Sequence, residues 1–221
     1  MEAHRSDRDA PFTVLFVCTG NICRSPVAER VARAYLDAVL GPEASAIHLG
    51  SAGTRAVVGS AVHPDSAAVL TGLGGDARGF AARQLTDGLV LGADLTLALT
   101  REHRRAALKR APRGLSRTFT LLEAADLASR VPFETELPGA TFAERCRALV
   151  REMAAGRVHR FSDARDDIPD PVGQPAAVHQ DVGQTIADGI VRLFGRLTDL
   201  SVTHMARDRR FEEPLVESLG R

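Results

Sequence analysis

A cysteine, an arginine and a serine lie within eight residues in an arrangement that suits chemistry on a bound anion. The stretch reads Cys18-Thr19-Gly20-Asn21-Ile22-Cys23-Arg24-Ser25. A cysteine thiolate is a strong nucleophile, and an arginine guanidinium can hold two phosphate oxygens at once. We therefore predict that Cys18 attacks phosphorus while Arg24 binds the phosphate oxygens. The remaining members of the stretch are expected to bind phosphate around them, and these are Thr19, Gly20, Asn21, Ile22, Cys23 and Ser25.

The residues on either side of this stretch predict a strand, a tight loop and a helix. The apolar run at 12–17 indicates a buried strand that leads into Cys18, and Ser25, followed by a proline, predicts the N-cap of a helix. Helix starts carry unpaired N–H groups and a partial positive charge, which favour the thiolate form of Cys18. Gly20 and Asn21 are expected to adopt the backbone conformations that a tight loop requires.

Alternating strand and helix patterns predict an α/β fold. Strands are expected at 12–17, 46–49, 94–99 and 118–121, and helices at 26–40, 65–73, 102–110 and 176–198. This alternation indicates a four-stranded parallel sheet with helices on both faces, a Rossmann-like three-layer sandwich. Ligands of such sheets bind at the carboxyl ends of the strands, where the phosphate-binding loop after strand one is expected to lie.

Composition excludes several classes of protein. The 221 residues suit one domain with a sizeable core. With 28 basic and 28 acidic residues, the chain lacks the basic excess of a nucleic-acid-binding protein, and no apolar run is long enough for a membrane helix. Three cysteines and the absence of a signal-peptide pattern favour a cytoplasmic location.

A metal site in the loop is a second interpretation of Cys18 and Cys23. Structural metal sites usually need two more cysteine or histidine ligands at a typical spacing. Only Cys146 remains among the cysteines, and no histidine lies near the loop in sequence. We therefore expect neither a metal nor a cofactor. His63 and His103 are expected to have surface or helix-capping roles.

Three motifs together resemble the low-molecular-weight protein tyrosine phosphatase family, in its bacterial type. They are the stretch 18–26, continuing to Glu29, the Gly-Ser-Ala-Gly-Thr segment at 50–54, and the Ile-Pro-Asp-Pro segment at 168–171. The three motifs occur in the same order as in the family, and the resemblance covers most of residues 12–128 and 165–200. The resemblance implies hydrolysis of protein phosphotyrosine through a cysteinyl-phosphate intermediate, with inorganic phosphate as product. A phosphorylated protein, such as a bacterial tyrosine kinase or its target, is the implied partner.

Protonation of the leaving oxygen requires an acid close to the phosphate. The candidates before the last long helix are Asp163, Asp166, Asp167 and Asp170. Prolines on both sides of Asp170 stiffen its position. The resemblance assigns the acid to the Asp of an Asp-Pro pair, which is Asp170, and Asp167 is the second candidate. It also implies that Asn21 and Ser51 hold the loop by hydrogen bonds and that Ser25 eases departure of the thiolate.

Three segments are expected outside the compact family pattern. Residues 1–11 are predicted to be a flexible tail and 203–221 a C-terminal tail, around a phosphatase domain at 12–202. Residues 129–164 are predicted to be a helical insertion whose capping box spans 141–144. Its apolar stripe includes Cys146, which is expected to lie in the core.

Three other functions use a similar loop, and the sequence leaves them open as alternatives. Protein arginine phosphatases on this scaffold tend to carry Thr where Ile22 stands, so Ile22 favours phosphotyrosine. Arsenate reductases need a downstream pair of redox cysteines that this chain lacks. A phosphate-binding regulatory module is the third, because the aromatic residues that flank substrate in many relatives are replaced by Val57, Val58 and Val172. A further hypothesis is that Cys23 captures oxidised Cys18 as a disulfide.

Overall fold

Four parallel strands form the central sheet of this computed structural model. The structure describes residues 10–212, and for residues 202–212 it describes the helical backbone alone. The strands are β1 (Phe12–Cys18), β2 (Ile47–Gly53), β3 (Leu95–Ala98) and β4 (Thr118–Thr120), in the order β2-β1-β3-β4. All neighbouring pairs are parallel. The predicted four-stranded parallel sheet is confirmed.

Helices cover both faces of the sheet. They are α1 (Arg24–Leu40), α2 (Pro64–Gly72), α3 (Asp87–Gly92), α4 (Arg101–Arg110), α5 (Leu121–Arg130), α6 (Phe142–Gly156) and α7 (Ala176–Glu212). Side chains of β1 alternate between the faces, as the pleat of a strand requires. Val14 and Phe16 pack in a large apolar cluster with α1, α5, α6 and α7, whereas Leu15 and Val17 pack in a smaller one with α3 and α4.

Two element boundaries differ from the sequence prediction in ways that matter for the site. Helix α1 begins at Arg24 rather than after Ser25, and no side chain caps it. Strand β2 continues to Gly53 because it pairs with β1 along its whole length, up to Cys18 opposite Gly53. Ser51 is therefore a strand residue directly opposite Phe16.

The last helix, α7, is longer than predicted and carries a buried apolar stripe. Val182, Ile186, Ile190 and Phe194 follow one another at a spacing of four residues and are all buried. The helix continues to Glu212 and therefore crosses the predicted domain boundary at 202. The predicted flexible tail at 1–11 and the end of the C-terminal tail fall mostly outside the described residues. Within residues 10–212, no helix combines the length and apolar character that crossing a membrane requires.

The predicted insertion contributes α6, which packs into the main core. Its Thr141–Glu144 capping box is formed as predicted, and Cys146 is fully buried. Arg147 pairs with Asp94 at 2.8 Å and donates to the carbonyl of Pro11 at 3.3 Å. These partners lie at the amino ends of β1 and β3, whereas Cys18 lies at the carboxyl end of β1. Helix α6 is thus anchored at the end of the sheet opposite the cysteine loop.

Candidate active site

The cysteine loop joins the carboxyl end of β1 to the start of α1. Cys18 ends the strand, is 2% exposed, and is followed by five loop residues before α1 begins at Arg24. The first N–H groups of a helix have no partner within it and carry partial positive charge. Because α1 starts one residue earlier than Ser25, this serine is not the predicted N-cap. It is buried in the first turn instead, with its hydroxyl 2.9 Å from the Cys18 sulfur.

Asn21 provides the left-handed residue that closes the loop. Its φ is 55°, the only positive value among the non-glycine residues that the structure describes. This conformation directs its backbone N–H to the Cys18 sulfur at 3.3 Å. The expectation for Asn21 is confirmed, whereas Gly20 does not adopt a positive φ. The sharp turn therefore depends on Asn21, whose short polar side chain tolerates this region better than most residues do.

A directed chain of hydrogen bonds connects Asn21 to the thiol. The Asn21 side-chain amide donates to the Ser25 and Ser51 hydroxyl oxygens, both at 2.9 Å. Ser51 donates onward to the Glu29 carboxylate at 2.6 Å. Since the Ser25 oxygen already accepts from Asn21, its hydroxyl hydrogen is available to the Cys18 sulfur. With this direction, the Ser25 hydroxyl and the Asn21 N–H both donate to the sulfur.

Arg83 fixes the other end of this chain. Its backbone N–H donates to Asn21 Oδ1 at 2.8 Å, and its Nε donates to the Ser51 carbonyl at 2.6 Å. The Asn21 amide therefore has all of its polar atoms occupied, and its orientation is set by its partners. Asn21 and Ser51 were predicted to hold the loop by hydrogen bonds, whereas Arg83 was not predicted to take part.

Replacing Asn21 by alanine is expected to lower both stability and turnover. The left-handed backbone costs alanine about 1–2 kcal/mol, and the lost amide leaves the serines less well paired, at about 1–3 kcal/mol. A small displacement of the sulfur can lower kcat by about 100-fold. Chemical denaturation and steady-state kinetics measure the two effects. Asn21→Gly, which adopts this φ freely, should recover part of the stability but not the turnover; full recovery of kcat would contradict a role for the amide.

Arg24 is buried and donates hydrogen bonds to one carbonyl oxygen and one carboxylate oxygen. The residue is 4% exposed. Its guanidinium donates to the Ile168 carbonyl at 3.0 Å and to Asp170 Oδ2 at 2.5 Å. Its Nε is buried and has no hydrogen-bond partner among the described residues. A buried N–H without an acceptor is unfavourable, so this atom is free to bind an anion in the loop.

Among the four candidate aspartates, only Asp170 contacts the loop arginine. Asp163 pairs with Arg165 and Asp166 with Arg160. The Asp170 side chain is 46% exposed, and its second oxygen accepts from Val172 N–H at 3.2 Å. Asp170 therefore stabilises the turn that begins at its own Asp-Pro pair, and it also contacts Arg24.

Asp167, the second candidate for the acid, is bound to α4. It accepts the Arg101 backbone N–H at 2.7 Å and two guanidinium bonds at 2.8 and 3.0 Å. Burial raises the pKa of Asp167, but hydrogen bonds from Arg101 outweigh it and lower the pKa below its usual value. These bonds stabilise the ionised carboxylate, which disfavours Asp167 as a proton donor.

His103 lies against the loop, which the sequence did not predict. Its Nε2 is 2.8 Å from the Thr19 hydroxyl and its Nδ1 is 2.9 Å from the Thr100 hydroxyl. It is 4% exposed, and burial, assisted by the charge of Arg24, lowers its pKa to about 4. The expected surface position is therefore wrong, whereas the bond to Thr100, the N-cap residue of α4, agrees with the helix-capping alternative. The ring is neutral at neutral pH. Its place in the first turn after β3, at the edge where Cys18 lies, was the available signal.

Cys23 also has neighbours that the sequence did not indicate. His63 and His179 come from distant parts of the chain. One ring nitrogen of each and the Cys23 sulfur all lie within 4.8 Å of one another. Two histidines that are distant from the loop in sequence are therefore close to it in space. Burial is the main cause that raises the pKa of Cys23 to about 11, so this thiol is protonated at neutral pH.

The rim of the site is aliphatic on one side and charged on the other. Val57, Val58 and Val172 are 50%, 69% and 50% exposed, and Val57 N–H donates to the Gly20 carbonyl at 3.0 Å. On the other side lies a cavity of about 330 Å³. It is lined by Arg24, Thr100, Arg101, Glu102, Arg105, Asp167, Ile168, Pro169 and Asp170.

Comparison with known sequences finds similarity to low molecular weight phosphatases. A family model described as low molecular weight phosphotyrosine protein phosphatase matches residues 13–138. The low molecular weight protein-tyrosine-phosphatase of Streptomyces coelicolor is 43% identical over 104 residues, which are 46% of this chain and 60% of that protein. The probable low molecular weight protein-tyrosine-phosphatase EpsP of Ralstonia nicotianae is 34% identical over 125 residues, 57% of this chain and 81% of that protein.

Solved structures extend the likeness to most of the chain. A low molecular weight protein tyrosine phosphatase from T. tengcongensis has a TM-score of 0.60 and 27% identity, and it covers 84% of this chain and 99% of its own. The YwlE arginine phosphatase from Geobacillus stearothermophilus shares the fold, with a TM-score of 0.56, 23% identity, and coverage of 93% and 99%. The family model matches residues 13–138, more than half of the chain, and the chain therefore belongs to the low molecular weight phosphotyrosine protein phosphatase family.

Proposed function

We propose that this chain hydrolyses phosphotyrosine in proteins through a cysteinyl-phosphate intermediate, within the domain predicted at 12–202. One observation carries the proposal. The Cys18 sulfur lies at the carboxyl end of β1 with the Asn21 N–H at 3.3 Å and the Ser25 hydroxyl at 2.9 Å. Beside it, the buried Arg24 Nε has no acceptor within the described part of the chain. A nucleophile next to unoccupied donors is what transfer of a phosphoryl group requires.

In the first step, the Cys18 thiolate attacks phosphorus and the bond to the tyrosine oxygen breaks. The Arg24 guanidinium and the N–H groups at the start of α1 bind the three equatorial oxygens and stabilise their charge in the transition state. Asp170 gives its proton to the departing phenolate oxygen. The products of this step are free tyrosine hydroxyl, ionised Asp170 and phosphate bound to sulfur.

In the second step, water replaces the sulfur on phosphorus. Asp170, now ionised, accepts a proton from the attacking water, and the sulfur–phosphorus bond breaks. The Ser25 hydroxyl and the Asn21 N–H stabilise the departing Cys18 thiolate. Inorganic phosphate leaves with the newly added oxygen, and the enzyme returns to its starting state.

Arg24 connects substrate binding to the acid. Without a bound anion, its guanidinium contacts Asp170 at 2.5 Å. A phosphate dianion in the loop competes for the same guanidinium. When Arg24 turns to the phosphate, Asp170 loses this partner, and its carboxyl group is then free to face the leaving oxygen.

Residues in and beside the loop favour phosphotyrosine as the substrate. Ile22, where arginine phosphatases of this scaffold tend to carry Thr, supports phosphotyrosine, and the exposed Val57 and Val58 offer an apolar wall to an aromatic ring. A phosphorylated protein is the proposed partner, with a bacterial tyrosine kinase or its target as the candidate. The three free cysteines suit a reducing compartment such as the cytoplasm.

We expect the purified protein to hydrolyse a phosphotyrosine peptide with kcat/KM at least about 10-fold above that for the same peptide carrying phosphoarginine. The reason is that discrimination by an apolar pocket amounts to about 1–3 kcal/mol. Release of inorganic phosphate measures both rates. A higher rate on phosphoarginine would favour the arginine phosphatase alternative. Tight phosphopeptide binding without turnover by the folded protein would instead favour a regulatory module.

A further inference from the structure

Three side chains capable of binding a metal meet behind the cysteine loop. Cys23, His63 and His179 each contribute one ligand atom, and these atoms all lie within 4.8 Å of one another. Cys23 is the last loop residue, His63 directly precedes α2, and His179 lies near the start of α7. The two imidazole rings stack with centroids 4.9 Å apart and planes inclined by 20°. Distant segments therefore bring one thiol and two imidazoles to one point.

Both histidines have a ring nitrogen that lacks a hydrogen bond. His63 Nδ1 and His179 Nε2 are buried and have no hydrogen-bond partner within the described chain. His179 is only 2% exposed, and its other nitrogen, Nδ1, lies 2.9 Å from the Ser66 hydroxyl. Metal-binding histidines typically use their second nitrogen in this way, because that bond fixes the ring and its tautomer. A buried nitrogen without a partner needs an explanation, and a bound cation provides one.

A carboxylate lies beside the same two nitrogen atoms. Asp65 Oδ2 is 3.8 Å from His63 Nδ1 and 3.9 Å from His179 Nε2. Both distances are too long for hydrogen bonds, but they leave room for an ion between the groups. The Asp65 side chain is 47% exposed, so it can adjust its position. It supplies a fourth ligand to complete a tetrahedral set.

The geometry points to a site for a zinc-class divalent cation, and we propose that Cys23, His63, His179 and Asp65 bind Zn²⁺ there, with the proton of the Cys23 thiol released to solvent as the metal–sulfur bond forms. One sulfur, two imidazole nitrogens and one carboxylate oxygen are the donors that Zn²⁺ takes in tetrahedral sites, whereas Mg²⁺ and Ca²⁺ prefer oxygen. Ideal bond lengths place such ligand atoms about 3.3–3.6 Å apart. The cluster has to contract by about 1 Å from its outer limit of 4.8 Å, which side-chain movement can supply.

The proposed ion would connect three elements that define the shape of the cysteine loop. Cys23 immediately precedes Arg24 at the start of α1, and the His63 N–H donates to the Ile22 carbonyl at 2.7 Å. Zinc bound here would hold the loop to α2 and α7. The site uses none of the groups proposed to donate or accept protons in the reaction, so it can be tested without reference to turnover.

Zinc binding by the reduced, metal-free full-length protein tests the proposal. The experiment uses Cys18→Ser as background, because the Cys18 thiolate could itself bind zinc. Competition with a chromogenic chelator gives affinity and stoichiometry, and Co²⁺ substitution reports a thiolate ligand by its charge-transfer absorption. We expect one equivalent of Zn²⁺, a thiolate–cobalt band and a higher unfolding temperature with zinc.

Ligand variants in the same background assign the site. Cys23→Ser and His179→Gln should each weaken zinc binding by more than the roughly 10–100-fold that loss of an outer partner costs, and Cys23→Ser should abolish the cobalt band. His48→Gln, at an exposed position on β2, is the matched control and should bind zinc unchanged. His63→Gln, which is less buried, replaces His179→Gln if that variant fails to fold, as judged by circular dichroism.

Three outcomes would overturn the proposal. The first is no stoichiometric zinc binding by the Cys18→Ser protein. The second is unchanged affinity in Cys23→Ser together with His179→Gln or His63→Gln. The third is zinc binding by the unsubstituted protein that disappears in Cys18→Ser, which would place the metal on the candidate nucleophile. Each of them leaves the phosphatase assignment unaffected, because that assignment is tested by turnover.

Discussion

Cys18→Ser is expected to lower kcat by a factor on the order of 10⁴ or more, the largest effect of any single substitution in this chain. A serine hydroxyl is almost entirely protonated at neutral pH, and the donors around Cys18 that stabilise a thiolate cannot ionise it. Removal of a nucleophile typically costs this much or more. Steady-state kinetics on a phosphotyrosine peptide measure the effect. Rapid acid quench should detect phosphate bound to the unsubstituted protein and none on sulfur in the variant.

The control for this prediction is Cys146, a buried cysteine that lies outside the loop. Cys146→Ala removes a fully buried thiol on α6, at the opposite end of the sheet from the loop. It is expected to lose about 1 kcal/mol of unfolding free energy through the small cavity created and to retain kcat. Cys18→Ser should remain folded and still gain stability with inorganic phosphate. If a folded Cys18→Ser protein keeps kcat within about 10-fold, Cys18 is not the nucleophile.

Asp170→Asn is expected to lower kcat/KM by about 10²–10⁴-fold on substrates with a poor leaving group. An amide cannot give a proton to the departing phenolate, so kcat/KM should depend strongly on the basicity of that oxygen. The loss should be large for phosphotyrosine and phenyl phosphate and much smaller for p-nitrophenyl phosphate, whose leaving group is a weak base. Values of kcat/KM over a series of aryl phosphates measure this dependence, because kcat also includes the second step, in which Asp170 acts on water for every substrate.

The leaving-group series separates an acid from a residue that only positions Arg24. Asp170 contacts Arg24 at 2.5 Å, so its substitution also changes the surroundings of the guanidinium. Loss of positioning alone would lower the rates of all aryl phosphates by a similar factor, and that result would contradict the acid role. Asp167→Asn is the matched control, because Asp167 lies in the same loop but pairs with Arg101. It should leave kcat close to that of the unsubstituted protein.

Local sequence was sufficient to predict the loop and the class of fold. Residues 18–25 are contiguous, so the geometry of their backbone depends mainly on short-range preferences such as the left-handed tendency of Asn21, which has a φ of 55°. The periodicity of apolar residues gave the sheet and most helices, because burial on one face imposes it. The prediction missed α3 and α5 altogether. It also misplaced ends of elements: β2 extends to Gly53 because β1 offers it hydrogen bonds over its whole length.

Contacts between residues that are distant in sequence could not be predicted from local preferences. Arg24 and Asp170 are 146 residues apart and Asn21 and Ser51 are 30 apart, and the family motifs, rather than spacing, pointed to them. His103 was assigned a different role and Arg83 was missed, because the loop residues that they contact, Thr19 and Asn21, are distant from them in sequence. They reach the loop because the strand order β2-β1-β3-β4 brings their segments to the edge where β1 ends.

The sequence by itself determined which nucleophile and which arginine stand in the loop, because side chains on one short segment have few relative positions. Only the tertiary structure decided what surrounds them. The alignment of Ser51 with Phe16 by strand register, the burial of His103, and the meeting of Cys23 with His63 and His179 all depend on the packing of separate elements. Long-range packing is set by the whole core rather than by local preference, and this is why a cysteine whose neighbours in sequence include no histidine has two beside it in the folded chain.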